Sequence, residues 1–461
     1  MFIVLLLLAL LVNACGAAPT PTPAPAVPTT AQAAPTAVPP TPTRVPPTAT
    51  PVPPPPTATP TPVDLVIWYP LPTEGLLKEA MDALVAKYNQ THPNARVTMV
   101  LTGNYADNYT KLLAGVAANV LPDAAMVELL QIPKLASAKQ IIALDDLAKD
   151  ADFKADDLAK ALMGNSYYDN KLYAIPWQRS TTMMFYNRDM FKAAGLDPNK
   201  PPTTWEELQQ IAPKLLVKQG DAVTQWPVMG TLAGDWFFEG QLLAYGGGLL
   251  SADGKTALYN SDVALKGLAI WNDMAKKDKT LSVRGGAEFG AVTSDFIAGK
   301  SAMIIHSIFS RAAIEQGAKF DWGVAAVPGG SAGPVLNAGG GNFVIFNKTN
   351  EVKRKLAWEF IKWMTASENT AFYAIKSGYL PVRTSALDDP QMKDYLAKSP
   401  KAKDAIEIAF KYGKARAIHK DFEKAINQFL NPALQDILQG TADAKTALDA
   451  AVKKSNEELA K

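Results

Sequence analysis

The sequence predicts an α/β body of two lobes, preceded by a leader and a stalk. Three observations carry this. Strand-like and helix-like segments alternate from residue 64 onward, the pattern of a largely parallel sheet with helices on both faces. About 400 residues follow that point, more than one hydrophobic core organises, so two lobes are expected. The preceding segment, 16–63, holds 18 of the chain's 35 prolines and a single charge, Arg44; it has too few large side chains to bury a core.

The elements follow in order. Leu65-Val66-Ile67-Trp68-Tyr69 reads as a buried strand. Leu77, Ala80, Met81, Leu84, Val85 and Tyr88 recur at helical spacing. His92-Pro93-Asn94 breaks that helix, and Arg96 to Leu101 returns as strand. A helix around Leu112–Val120 leads to the apolar strand Ala124-Ala125-Met126-Val127. Further on, a strand delivers Tyr186-Asn187, and Gly195 is placed to end a short helix in the left-handed region. Thr203 or Thr204 is placed to cap the next helix, whose first turn carries Glu206 and Glu207. Phe343-Val344-Ile345-Phe346 reads as a strand and Val352 to Thr365 as a helix. The last hundred residues read as helices separated by Pro381, Pro390, Pro400 and Pro432.

The only cysteine, Cys15, closes an apolar run from Phe2 to Val12. That run suits a signal h-region and is too short to span a bilayer. Small residues precede Cys15, and the segment resembles a bacterial lipobox, in which the thiol receives a diacylglyceryl group. The n-region, Met1-Phe2, lacks the usual positive charge. Residues 1–15 are therefore expected to be a lipoprotein signal with Cys15 lipidated. Two acyl chains make anchoring stable where one is marginal. With Cys15 so used, the body has no disulfides. The Pro-Thr-rich stretch 16–63 favours extended polyproline II, a spacer reaching roughly 140 Å at full extension; its threonines also suit O-glycosylation.

Composition excludes several classes. A net charge of +2 with interspersed signs gives no basic block for nucleic acid. His92, His306 and His419 lack metal-ligand spacing, and neither a Gly-x-Ser-x-Gly elbow nor a phosphate-binding Gly-x-x-x-x-Gly-Lys-Ser/Thr loop occurs. No cofactor, metal site or catalytic residue is expected. A secreted hydrolase using paired carboxylates remains a distant alternative.

The stretch from Phe185-Tyr186-Asn187-Arg188-Asp189 to Ala194-Gly195-Leu196-Asp197, followed by Pro201-Pro202-Thr203-Thr204-Trp205-Glu206-Glu207-Leu208, strongly resembles the family 1 extracellular solute-binding proteins of ABC importers. Phe296-Ile297-Ala298-Gly299-Lys300-Ser301-Ala302-Met303 is a second such segment. The resemblance implies a type II periplasmic-binding-protein clamp closing about an interlobe hinge, with 64–178 and 322–365 as lobe 1 and 179–321 and 366–461 as lobe 2. It implies a monomer that hands its ligand to a membrane permease powered by a separate ATPase.

Within the family, Gly103-Asn104-Tyr105, Val127-Glu128, Pro176 to Thr181, Ser307, Ala318 to Val324, Gly339-Gly340, Gly378 to Pro381 and Lys414-Ala415-Arg416 resemble the sn-glycerol-3-phosphate-binding branch. The resemblance places ligand positions on Tyr105, Glu128, Ser180, Ser307, Gly340, Tyr379 and Arg416, with Trp236 as a pocket wall. A phosphate wants a guanidinium fork, hydroxyls and exposed backbone N–H groups; a glycerol end wants acceptors. Each residue alone has a plainer reading: Arg416 as a solvated helix charge, Tyr379 as packing, Gly340 as a turn. That branch carries a second tryptophan where this chain has Ala233, so the pocket is expected to be wider and to admit a glycerophosphodiester, with Trp236 facing a cationic head. A mono- or oligosaccharide ligand is the main alternative.

Overall fold

The computed structural model describes residues 61–70, 75–232, 234–285 and 288–461. Cys15, the leader, nearly all of the Pro-Thr-rich stretch and Ala233 lie outside the described residues, which from Thr61 onward belong to one compact unit.

The expected opening is present: β1 (Val63–Tyr69), α1 (Leu76–Thr91), β2 (Ala95–Leu101), α2 (Tyr105–Ala118) and β3 (Ala124–Glu128). Val63 already pairs with Ala95, so the sheet begins at the last residue assigned to the stalk. Then come α3 (Ile132–Ser137), the small hairpin β4 (Tyr167–Tyr168) and β5 (Lys171–Leu172), and the long β6 (Ile175–Asn187). After α4 (Arg188–Ala193), Gly195 takes φ 72° as anticipated. Thr204, not Thr203, caps α5 (Trp205–Ile211), in a reciprocal box with Glu207. The middle of the chain forms β7 (Val217–Gln219), β8 (Ala222–Gly230), α6 (Asp235–Ala244), α7 (Asp262–Asn272), β9 (Leu281–Val283), α8 (Phe289–Ile297), β10 (Ser301–Ser307), α9 (Ser310–Gly317), β11 (Trp322–Ala325) and β12 (Leu336–Ile345). The C-terminal part holds α10 (Glu351–Met364), α11 (Ser367–Ser377), α12 (Pro390–Lys398), α13 (Pro400–Tyr412), β13 (Gly413–Lys414), α14 (Phe422–Ala425), α15 (Asn431–Gln439) and α16 (Ala444–Leu459). Pro390, Pro400 and Pro432 lie in the first turns of helices, where a missing N–H costs nothing, rather than between them.

The strands join in one sheet of order β2-β1-β3-β12-β6-β10-β8-β7, with β11 beside β6, β13 beside β12 and β9 beside β8. The pairs β2-β1, β1-β3 and β10-β8 are parallel, the centre β3-β12-β6-β10 is antiparallel, and β7 closes one edge antiparallel to β8. Alternation along the strands buries both faces. On β3, Ala124 and Met126 enter one core while Ala125 and Val127 enter another. On β6, Met184 and Tyr186 enter a third core while Met183 and Phe185 enter a fourth. The first two cores sandwich one half of the sheet and define lobe 1; the other two define lobe 2.

Three neighbouring passages join these halves: along β6, where Trp177 packs in lobe 1 and Met183 in lobe 2; along β12, from Leu336 to Phe343; and between Tyr379 and Leu380. Two short excursions, at Leu129–Leu130 and at Ala159–Leu162, also enter lobe 2's cores. This corrects the expected boundaries, including at Ala159 and Leu162, which share a core with Met183. Residues 366–379 belong with lobe 1, because α11 packs on α1 and Tyr373 lies against Trp177, ring centroids 4.7 Å apart. Residues 322–336 belong with lobe 2, because Trp322 and Leu336 share a core with Phe185. Leu129 and Leu130, just after β3, are buried in lobe 2's core beside Phe422 and Ile426.

Candidate functional site

The three crossings lie side by side and carry the candidate residues. Arg179 on β6 pairs with Gly340 on β12 and forms a bridge to Leu380, whose N–H donates to the Arg179 carbonyl at 2.8 Å. The run Gly339-Gly340-Gly341 is the floor of this junction. A Cβ on Gly339 would meet the Trp236 ring at 2.8 Å and Ser180 Oγ at 3.1 Å; one on Gly341 would meet the Tyr105 hydroxyl at 3.0 Å. Gly340 itself has φ 98°, and a Cβ there would lie 1.6 Å from the Gln178 carbonyl oxygen. Only glycine fits.

Around this floor the structure brings Tyr105, Glu128, Ser180, Gly340, Tyr379 and Trp236 together. Tyr105, in the first turn of α2, donates to Gln178 Oε1 at 3.3 Å, and Gln178 Nε2 donates to the Tyr373 hydroxyl at 2.5 Å. Tyr379 stacks between Phe309 and Tyr373, with centroids at 5.5 and 6.1 Å. Burial, then the nearby Tyr379 and Glu128, holds the Tyr105 phenol well above its usual range, so it stays a donor. Glu128 ends β3 and accepts from the Leu130 N–H at 2.7 Å. Burial pushes its carboxyl up to about 7, against the pull of Arg416 and of Arg179 and with the help of Asp235. Ser307 ends β10 opposite Thr182. Opposed residues of an antiparallel pair share a face, so Ser307 lies on the face of Ser180. Its hydroxyl is buried and without a partner among the described residues.

Arg416 is placed differently from the sequence expectation. It is buried, and its guanidinium is already held: Nε donates to Glu239 Oε2 at 2.7 Å and Nη2 donates to Asp235 Oδ2. Asn165 holds its backbone on both sides, donating to its carbonyl and accepting from its N–H at 3.0 Å each. Burial opposes its charge, but Asp235, Glu239 and Glu128 outweigh this and raise its pKa. Trp236 is anchored by Nε1, which donates to the carbonyls of Asn337 at 3.2 Å and Ala338 at 3.1 Å. Beside it opens a cleft of about 430 Å³ walled by Trp236, Phe237, Phe289, Asp235, Thr231 and Asn431.

Several participants were not singled out from sequence: Gln178, Tyr373, Asp235, Glu239, Gln131 and Arg179. Gln131 joins the halves. Its Oε1 accepts from the Glu128 N–H at 3.1 Å and its Nε2 donates to Glu423 Oε1 at 2.9 Å. Lys134 next to it pairs with Asp421 at 2.7 Å. Arg179 carried a readable signal, a lone charge inside the otherwise uncharged run Ile175 to Asn187. Among the described residues no group of His, Cys, Asp and Glu is set up to hold a metal ion.

A mixed sheet crossed three times by the chain, with polar residues of both halves meeting at the crossings, defines a hinged two-lobe binding protein. The chain belongs to the bacterial extracellular solute-binding protein family, whose model matches residues 83–400. It is 28% identical over 409 residues to the sn-glycerol-3-phosphate-binding periplasmic protein UgpB of Salmonella paratyphi A, covering 85% of this chain and 91% of that protein. The crystal structure of UgpB from Mycobacterium tuberculosis in complex with glycerophosphocholine superposes with TM-score 0.76 at 24% identity, over 86% of this chain and 98% of that one. The cyclic α-maltosyl-1,6-maltose binding protein of Arthrobacter globiformis does so with TM-score 0.70 at 25% identity, over 86% and 99%. The chain is thus an extracytoplasmic solute-binding component of an importer.

Proposed function

We propose that this chain captures a glycerophosphodiester with a cationic head, or sn-glycerol-3-phosphate, between its lobes and delivers it to a membrane permease with a separate ATPase. The cleft beside Trp236 carries this reading. The Trp236, Phe237 and Phe289 rings are the chemistry that receives a quaternary ammonium, with the Arg416-paired Asp235 carboxylate beside them. The polar junction next to it, Tyr105, Glu128, Ser180, Ser307, Tyr379 and the Gly340 backbone, supplies donors and acceptors for phosphate and glycerol. Closure draws on contacts from both halves. Gln131 with Glu423 and Lys134 with Asp421 add contacts of the halves with each other. Diacylation of Cys15, with 16–63 as a stalk, would keep the body near its permease; fatty-acid labelling that disappears in Cys15→Ala tests this.

Calorimetry with glycerophosphocholine, sn-glycerol-3-phosphate and maltose tests the ligand. Glycerophosphocholine is expected to bind more tightly than sn-glycerol-3-phosphate. Binding of maltose with neither phosphate ligand would overturn the reading. A neutral saccharide is the second reading, favoured by one observation: Arg416 already has two carboxylate partners.

A further inference from the structure

We infer that a row of amides in the cleft, Asn427, Asn431 and Gln435, sets head-group specificity and favours an uncharged polyhydroxylated head over a cationic one. This rests on the phosphoglycerol reading above and narrows its ligand. The lining of the cleft is of two kinds: the Trp236, Phe237 and Phe289 rings, and these three amides. Trp236 also reaches the glycine floor, since a Cβ on Gly339 would meet its ring at 2.8 Å. A head group extending from a phosphate at that floor therefore passes Trp236 into the cleft.

The amides are arranged by the fold. Phe422 to Gln439 is a continuous helix that widens into one π turn, Ile426–Leu430, between α14 and α15. Such turns recur at functional sites. Asn427 lies in that turn. Asn431 is fixed in orientation: its Oδ1 accepts from the Asp235 N–H at 2.7 Å, and its Nδ2 donates to Asp235 Oδ1 at 2.9 Å. The same Nδ2 lies 3.5 Å from Asn427 Oδ1. Asn427 Nδ2 and the Gln435 amide are left without a hydrogen-bond partner among the described residues, and both side chains are exposed.

A quaternary ammonium uses only part of this surface. It can lie against the rings, but it has no donor or acceptor for the amides. Asp235, the one ionisable group among the described residues of the lining, already has Arg416 and Asn431 as partners. A polyol ring uses both kinds of lining. Its C–H face packs on the aromatic rings, and its hydroxyls donate to and accept from the amides. The cleft volume of about 430 Å³ leaves room for such a ring.

The test is calorimetry on the whole chain with glycerophosphoinositol, glycerophosphocholine and sn-glycerol-3-phosphate, repeated on Asn427→Ala and Gln435→Ala. Gln435→Met keeps the volume should the Ala variant melt lower than the parent. The parent is expected to bind glycerophosphoinositol about tenfold more tightly than glycerophosphocholine. Each substitution is expected to weaken glycerophosphoinositol about fivefold and to leave the other two ligands within about twofold. A parent that binds glycerophosphocholine as tightly as glycerophosphoinositol overturns the inference and leaves the phosphoglycerol reading standing. Variants that weaken all three ligands equally, or none, also overturn it, because the amides then do not read the head. A parent that binds none of the three ligands overturns both.

Discussion

Glu128→Gln isolates the charge of the site. Burial raises the Glu128 carboxyl from its ordinary 4.5 to about 7. At about 1.36 kcal/mol per unit, its ionised form costs the folded state about 3 kcal/mol relative to the unfolded chain. Because the folded pKa is the higher one, the folded chain binds more protons between pH 4.5 and 7. Stability therefore falls as pH rises through that window, and the full cost is present above pH 7. Gln removes the cost and keeps an oxygen to accept from the Leu130 N–H. Urea unfolding of the ligand-free protein should show the variant more stable than the parent at pH 8 by up to about 3 kcal/mol, with the two converging towards pH 4.5. Glu423, raised to about 8 by burial and then by Glu128, should leave the variant a residual slope of the same sign. A stability difference independent of pH, or a variant less stable at pH 8, refutes the reasoning.

Gly340→Ala forces a Cβ against the Gln178 carbonyl at positive φ, and urea unfolding should show a loss of about 3 kcal/mol or more. Lys134→Ala removes an ion pair between the halves without touching the candidate ligand positions; in stopped-flow binding, glycerophosphocholine should dissociate about 3–10-fold faster with its association rate unchanged. Trp236→Ala strips the main aromatic wall of the cleft, so calorimetry should show glycerophosphocholine weakened about tenfold more than sn-glycerol-3-phosphate.

The local structure was largely legible in sequence because its signals are local. Helical spacing of Leu77 to Tyr88 gave α1, and Thr204 with Glu207 gave the start of α5. Six of the eight ligand positions read from the resemblance do meet around the glycine floor. Partnerships over long separations were not legible. Nothing near residue 416 signals that Asp235 and Glu239, some 180 positions away, neutralise its charge. The lobe boundaries failed for the same reason: α11 reads as one more C-terminal helix until Tyr373 is seen against Trp177.

The exchange of segments between the halves bears on how the clamp can move. Were the lobes joined by flexible linkers, closure would meet little resistance and the ligand would have to supply all of its order. Here two of the crossings, β6 and β12, are neighbouring strands of one sheet, and the third is hydrogen-bonded to β6. A continuous antiparallel pair resists shear but can bend and twist where its ladder is irregular. That irregularity falls at Trp177, opposite the step from Gly341 to Asn342, next to the glycine run that the Tyr105 and Trp236 rings approach. Bending there changes the distances between Tyr105, Glu128 and Tyr379 on one side and Ser307 and Trp236 on the other. On the proposed reading, a ligand seated on the glycines would lie beside the bend and act on it directly, with no relay.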